Sequence, residues 1–258
     1  MPCVVRAERQ SPLCLPEADE LAKRNKSYHM KTCVILQPSF IPWRGYFHQV
    51  QRADVFVFYD DVQYDKHGWR NRNRVKTANG TQWLTVPVHS KGAIDQGREI
   101  REITIDWTAR FVDKHLATIR QAYRKAPFFD RYIGMLENAY DKRPEHLADL
   151  TIDLTTSIAA ELGLTTQFVR SSEMRAGGAP TERLVNIVRL LGCDHYISGP
   201  SAKDYVEEQL FVNANIKLEY MTYNYPEYPQ LHPPFDPQVT ILDLLFMTGE
   251  LAPKYIWG

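Results

Sequence analysis

The stretch YDDVQYDKHGWRNRNR, residues 59–74, carries residue types suited to chemistry on a charged substrate. Asp60 and Asp61 directly follow an apolar run, and adjacent carboxylates suit a general base or the binding of an amine, because their repulsion raises one pKa. His67 is a further proton acceptor in a polar loop. We predict these three residues as catalytic candidates. The alternative is that the two aspartates only end a strand and begin a turn.

Arg70, Arg72 and Arg74 alternate with Asn71 and Asn73 in the same stretch. On an extended backbone this alternation places the three guanidinium groups on one face and the two amides on the other. A guanidinium fork matches phosphate oxygens bidentately, so the row predicts a clamp for a diphosphate. The alternative is an exposed edge strand whose arginines keep the sheet soluble.

Short β-rich runs alternate with helical stretches from residue 32 onward. Strands separated by helices of this length form parallel β-α-β units with right-handed crossovers. The predicted fold is therefore a three-layer, Rossmann-like α/β domain with a mostly parallel sheet. Its predicted strands are residues 32–37, 55–61, 166–172, 195–199 and 217–223.

Two segments interrupt this alternation. Asn79-Gly80 stands between two alternating runs, a strong hairpin signal, and predicts a β-hairpin insertion at about residues 68–105. A further strand is predicted at 101–107. A helical segment follows at about 108–162, and Gly163 is the expected stop of its last helix.

Residues 30–258 are predicted to form a single domain. The full chain has 258 residues, of which 44% are hydrophobic, so it is long enough to bury a large core. Residues 1–29 have weak periodicity with proline and charge breaks, which favours a flexible N-terminal extension.

The composition argues against several classes of partner. Lys+Arg and Asp+Glu both number 31, so no global field favours nucleic acid or a membrane, and neither partner is expected. The four cysteines are scattered without C-x-x-C spacing, which argues against a metal site and fits a reducing cytoplasm. Neither GxGxxG, a P-loop nor GxSxG occurs, so no cofactor is predicted.

Polar residues stand where the predicted strands end. Ligands of open parallel sheets bind beyond the carboxyl ends of the strands, so these ends are expected to converge on one site. Ser201 is also the expected N-cap of a helix at 202–214, whose first turn with Lys203 suits an anion. The strand ends are Gln37-Pro38, Asp60-Asp61, Ser171-Ser172 and Ser198-Gly199-Pro200-Ser201.

Aromatic and amide side chains complete the predicted binding set. Trp43, Tyr46 and Trp69 suit stacking on a base or sugar, and the loop at 225–235 is either a wall over such a ring or a packed loop. The binding candidates are Gln37, Trp43, Tyr46, Gln63, Trp69, Asn71, Arg72, Asn73, Arg74, Ser198, Gly199, Ser201, Lys203, Tyr228 and Gln230.

Six motifs follow one another between about residue 30 and residue 258: QPSFIPWRGYF, ADVFVFYDDVQY, GWRNRNRVK, WLTVPV, YISGPSAKDY and YPQLHPPFDPQVTILDLLF. Together and in this order they resemble the WbqC-like family. Members typically lie among genes for bacterial O-antigen and other surface-polysaccharide sugars. One departure is TILDLLFMTG at 240–249, where the family usually has Ser before the Ile-Asp-Leu-Leu core and Asn near its end. If this segment lines the site, the substrate is expected to differ from the family norm.

The resemblance implies an acyl or aminoacyl transferase that forms an amide on a nucleotide-linked amino sugar. The partners would be that sugar and an activated acyl donor, either free or on a carrier protein. In this scheme the arginine row holds the diphosphate and Asp61 or His67 accepts a proton. Backbone N–H groups from Gly199 to Ser201, with Asn71, stabilise the oxyanion. The alternative is an accessory protein that binds a sugar nucleotide or carrier protein and does not need the carboxylates.

Overall fold

Five short strands form one parallel sheet in residues 30–258, the part of the chain that the computed structural model describes. The prediction for residues 1–29 lies outside the described residues. The strands are β1 (Thr32–Leu36), β2 (Val55–Phe58), β5 (Gln167–Arg170), β6 (His195–Ser198) and β7 (Lys217–Tyr220). Their order across the sheet is β5-β2-β1-β6-β7, and every neighbouring pair is parallel.

Seven α-helices occur in the described part of the chain. None of these helices is both long enough and apolar enough to cross a bilayer. They are α1 (Arg44–Arg52), α2 (Phe111–Tyr123), α3 (Phe129–Asp141), α4 (Leu147–Glu161), α5 (Pro180–Leu190), α6 (Glu208–Asn213) and α7 (Ile241–Thr248).

Helices cover both faces of the sheet. Val34 and Phe56 on one face pack with Val50 of α1 and Ala159 of α4. The opposite face packs against α5 and α6. A strand buried on both faces needs no alternation of apolar and polar residues, which is why TCVIL and VFVF are continuous apolar runs. The predicted three-layer α/β fold is confirmed.

The strand order fixes where a ligand can bind. From β1 the chain moves outward through β2 to β5, and it then returns to β6 on the other side of β1. The connections after β1 and β6 therefore leave in opposite directions and open a crevice at the carboxyl edge of the sheet.

The predicted hairpin is present as β3 (Arg72–Thr77) and β4 (Gly80–Thr85), with Gly80 at a φ of +99°. The prediction of a strand at 101–107 is wrong. A 3₁₀ helix occupies Ile100–Glu102, and Thr104 and Ile105 form isolated bridges to two different segments. Pairing that changes partner within two residues does not extend into a strand.

A second core joins the hairpin to α2, α3, α4 and α7. Helix α7 is apolar nearly all round because it is buried on most sides, and Phe246 packs 5.2 Å from the rings of both Tyr123 and Phe129. The Thr240 hydroxyl accepts a hydrogen bond from Leu242 N and caps this helix. Thr240 stands where the WbqC-like pattern usually has Ser, and it keeps the capping hydroxyl.

His115 is buried in this second core and links three elements. Its Nδ1 lies 2.8 Å from the Tyr140 hydroxyl of α3, and its Nε2 lies 3.1 Å from the Thr85 carbonyl oxygen of β4. Burial lowers the pKa of His115 from 6.5 to about 4. Between these two pH values the unfolded chain binds a proton that the folded protein excludes, so acid favours unfolding.

We expect the His115 contribution to the free energy of unfolding to fall by roughly 3 kcal/mol as the pH decreases from 6.5 to about 4. Denaturant unfolding of the wild type and of His115→Gln across this range measures it. The variant is expected to be less stable at pH 7 and to lose less stability in acid. Equal pH slopes for the two proteins would exclude His115 as the titrating group.

Candidate functional site

A cleft of about 1020 Å³ opens at the carboxyl edge of the sheet, where the connections after β1 and β6 leave in opposite directions. The ends of β1, β2 and β6 meet there, but Ser171-Ser172 at the end of β5, which the sequence predicts to join them, does not line the cleft. Of the predicted residues, those lining the cleft are Gln37, Trp43, Tyr46, Asp61, Gln63, Trp69, Arg70, Asn73, Ser198, Gly199 and Ser201. Gln63 stands on the loop after β2, where its Nε2 donates to the Ile94 carbonyl oxygen at 2.8 Å.

The two adjacent aspartates have different surroundings. Asp60 is fully buried, and its carboxylate accepts hydrogen bonds from Ser172 N at 3.0 Å, Ser172 Oγ at 2.8 Å and Ser171 Oγ at 3.2 Å. These bonds tie the end of β2 to the end of β5. Asp60 does not line the cleft, and its hydrogen bonds stabilise the contact between the ends of β2 and β5.

Asp61 does line the cleft. Its carboxylate forms an ion pair with Arg183 and accepts a hydrogen bond from the Ser171 hydroxyl. The side chains of Asp61 and Arg183 are only 11% and 18% exposed, so solvent screens the pair weakly. Arg183 is held in place by its Nε, which donates to the Ala176 carbonyl oxygen at 2.9 Å, and by the Tyr59 ring beneath it.

Arg183 is a site residue that the sequence reasoning missed. It lies in the first turn and a half of α5, after Pro180 at the helix start. A cation there opposes the helix dipole, which favours anions near the N-terminus. This unfavourable placement indicates that an anion binds the Arg183 side chain, and that anion is Asp61.

The three arginines of the row separate in space. Arg70 lines the cleft, and its Nη1 donates to the Pro38 carbonyl oxygen at 3.2 Å. Its Nε lies 3.8 Å from the Asp65 carboxylate, too far for a hydrogen bond, and burial lowers the pKa of this guanidinium. Strand β3 begins only at Arg72, so Arg70 belongs to the loop and turns inward.

Arg72 and Arg74 lie outside the cleft lining. Their guanidinium carbons stand 4.7 Å and 5.9 Å from the centre of the Trp83 ring on β4. Arg72 Nη2 donates to the His67 carbonyl oxygen at 2.6 Å, and Arg74 Nη2 donates to the Gln238 carbonyl oxygen at 2.9 Å. His67 is exposed and does not line the cleft either.

The two asparagines face the opposite side of the hairpin and are buried, as the alternation predicts. Asn73 Nδ2 donates to the carbonyl oxygens of Phe40 at 3.1 Å and Ile41 at 2.8 Å, which fixes the loop after β1. Asn71 Nδ2 donates to the Val86 carbonyl oxygen at 2.9 Å, outside the cleft. These amides position the hairpin against the sheet.

Aromatic rings form the α1 side of the cleft. Trp43 makes edge contacts with Tyr223 at 5.0 Å and Tyr225 at 6.0 Å. A Cβ at Gly45 would lie 2.3 Å from the Trp43 ring, so a residue without a side chain is needed beneath it. Tyr46 is buried, and its hydroxyl donates to the Gln37 carbonyl oxygen at 3.3 Å.

The segment after β6 corrects two predictions. The helix predicted at 202–214 is instead a 3₁₀ helix, Pro200–Asp204, followed by α6. Val206 and Phe211 are buried in the same core. On one continuous helix their side chains would point about 140° apart, so the helix must break between them. The N-cap is Gly199 and not Ser201, and Lys203 lies over the Tyr220 ring, away from the cleft.

The tail loop packs against α1 and does not reach the cleft. The Gln230 side-chain amide forms two hydrogen bonds of 2.9 Å with the backbone of Asp236, one as donor and one as acceptor. Tyr228 lies 5.3 Å from the guanidinium carbon of buried Arg44, which donates to the carbonyl oxygens of Pro226 at 2.8 Å and Tyr255. Neither Tyr228, Gln230 nor the departing segment at 240–249 lines the cleft.

The chain is similar to known proteins over most of its length. The model of the WbqC-like protein family matches residues 37–255. Uncharacterized protein Rv1507c of Mycobacterium tuberculosis (strain ATCC 25618 / H37Rv) is 40% identical over 229 residues, which cover 88% of this chain and 98% of that protein. No solved structure matches the chain. The family match spans the hairpin, every strand of the sheet except β1 and most of the residues that line the cleft, and the chain therefore belongs to the WbqC-like protein family.

Proposed function

We propose that the cleft binds a nucleotide-linked amino sugar and joins its amine to an activated acyl or aminoacyl group, in the biosynthesis of surface polysaccharides or related glycans. One observation carries the proposal: Asp61, Arg70 and Arg183 line a single cleft at the ligand-binding edge of the sheet. Guanidinium groups hold phosphates, and a carboxylate attracts an ammonium group. The cleft thus has charges for both ends of such a substrate.

Arg70 is the best phosphate ligand in this cleft. Among the described residues its hydrogen bond goes to one carbonyl oxygen, and its nearest carboxylate, Asp65, stays 3.8 Å away. The positive charge is therefore largely buried but only weakly neutralised. A phosphate in the cleft would supply charge-assisted hydrogen bonds to it.

Asp61 is the proposed proton acceptor. The sugar amine attacks the donor carbonyl carbon, so a C–N bond forms while the bond to the leaving group breaks. The ammonium group loses two protons on its way to the amide. Asp61 takes the first before the attack and passes it to solvent. With a thioester donor the C–S bond then breaks, and the second proton, lost from the attacking nitrogen, ends on the departing thiolate. Gly199 and Ser201 line the cleft, and their N–H groups are the proposed donors to the oxyanion. Direct attack by the amine requires no covalent enzyme intermediate.

A second candidate is an accessory protein that binds a sugar nucleotide without catalysis. One observation favours it: both carboxylates already have partners, since Asp60 accepts from two serines and Asp61 is paired with Arg183. In the transferase, the phosphate of the substrate competes for Arg183 and releases Asp61.

The test combines binding and turnover. Nucleotide-linked amino sugars are expected to raise the melting temperature, because saturation to 100 times Kd stabilises the fold by about 2.7 kcal/mol. Addition of an acyl thioester is expected to yield a product heavier by the acyl residue in mass spectrometry. Stabilisation without product across acyl donors would favour the accessory protein. No stabilisation by any nucleotide sugar would overturn both candidates.

A further inference from the structure

Gln49, on the second turn of α1, is a buried amide in the cleft lining with one unpaired end. The side chain is 4% exposed, and its Nε2 donates to the Tyr223 hydroxyl at 2.9 Å. Within the described residues its Oε1 accepts no hydrogen bond, and less than 1 Å² of that oxygen is exposed. A buried acceptor without a partner destabilises the folded protein, because it has lost its hydrogen bonds to water. Such an atom in a cleft wall is explained by a donor that a ligand brings.

The surroundings of Gln49 suit a flat ring. Tyr223 contacts both Gln49 and Trp43, whose ring stands at 5.0 Å in an edge contact, and Tyr46 follows on the same helix. Trp43 is only partly buried and lines the same cleft, so its ring is available for contact with a ligand ring. The Tyr223 hydroxyl lies 4.0 Å from where a Gly199 side chain would begin, which places it beside the β6 loop of the cleft.

The cleft has two chemically different sides. Helices α1 and α5 pack on opposite faces of the sheet, so the cleft crosses the sheet edge between them. The α1 side presents Gln49 and the aromatic rings, whereas the α5 side presents the Asp61–Arg183 ion pair. A nucleotide sugar has the same polarity, with a flat base at one end and the sugar amine at the other.

The number of open acceptors restricts the base. Among the described residues, Gln49 Oε1 is the one buried side-chain acceptor of the cleft lining that lacks a hydrogen-bond partner, so a base with a single N–H donor is satisfied there. An exocyclic amino group would bring a second N–H and leave it unpaired at a cost. Uracil and thymine have one base N–H, the imide N3–H, whereas cytosine, adenine and guanine all have amino groups.

We propose that Gln49 is the specificity residue for the base and accepts a hydrogen bond from the imide N–H of a uracil or thymine nucleotide. This inference rests on the proposed function, since it names the nucleotide class that the same cleft takes. Tyr223 orients the Gln49 amide and is a positioning residue.

Calorimetric titration with three probes tests the assignment: UDP, CDP and N3-methyl-UDP. UDP is expected to bind about 10-fold more tightly than either of the others, since one buried hydrogen bond is worth about 1–1.5 kcal/mol. Gln49→Met is expected to weaken the binding of UDP about 10-fold and to leave the affinity for N3-methyl-UDP unchanged. Gln51→Met, an exposed position on the same helix, is the matched control and is expected to leave all three affinities unchanged.

The outcomes separate this inference from the proposed function. Equal binding of UDP and N3-methyl-UDP, or unchanged UDP binding by a folded Gln49→Met protein, would overturn the role of Gln49 while the nucleotide site stands. Preference for CDP would mean that the subsite presents a donor, and would also overturn it. Failure of every nucleoside diphosphate to bind would count against the proposed function itself.

Discussion

Asp61→Asn is expected to lower kcat for amide formation by about 10²- to 10⁴-fold, the usual contribution of a positioned general base. An asparagine side chain keeps an oxygen that can accept the hydrogen bond of Arg183, so the geometry of the pair is largely retained. It neither attracts the ammonium group nor takes up its proton. The measurement is kcat for amide formation at one temperature. Circular dichroism at that temperature verifies the folded fraction of each protein.

Asp60→Asn is the matched control for this prediction, because it makes the same chemical change one residue away. Asp60 is fully buried and holds Ser171 and Ser172, so its loss is expected to cost about 1–3 kcal/mol of unfolding free energy and little turnover per folded molecule. If the two variants lose kcat equally, or if Asp61→Asn retains full turnover, Asp61 is not the base.

Arg70→Gln is expected to weaken the binding of UDP by about 10- to 150-fold, since a hydrogen bond to a charged group contributes about 1.5–3 kcal/mol. Arg70 is the member of the arginine row that lines the cleft. Removal of a buried cation that is weakly neutralised in the free protein is expected to leave the melting temperature nearly unchanged. Calorimetric titration of UDP, with uridine as the phosphate-free ligand, measures the effect.

Arg72→Gln supplies the control within the same motif. Its guanidinium stacks on Trp83 and donates to the His67 carbonyl oxygen, outside the cleft, so UDP affinity is expected to change by less than about threefold. Uridine affinity is expected to be the same in all three proteins. A similar loss for Arg72→Gln, or a loss of uridine binding with Arg70→Gln, would contradict a phosphate role specific to Arg70.

The strand pattern was sufficient to predict the fold and the edge at which the cleft lies. Apolar runs such as TCVIL and VFVF predict strands buried on both faces, and alternation with helices then dictates a parallel sheet. Asn79-Gly80 predicts the hairpin because Gly80 adopts a positive φ at little steric cost. These features depend on neighbours in sequence, and local physics decides them.

Long-range packing decided which of the candidate side chains reach the cleft. Asp60 and Asp61 are chemically identical neighbours, and the serines of β5 and Arg183 of α5 assign them different surroundings. In the arginine row, the start of β3 at Arg72 separates Arg70 from the alternation.

By itself, then, the sequence determined the layered fold, the hairpin and the polar edge of the sheet, because periodicity and turn residues act over a few positions, while its motifs carried the resemblance to the family. Only the tertiary structure selected Asp61 over Asp60 and Arg70 over its neighbours, and only it revealed Arg183 and Gln49 in the cleft. The partners of these residues lie tens to more than a hundred positions away in the chain, as with Asp61 and Arg183. Such contacts exist only once the strands have taken their order in the sheet.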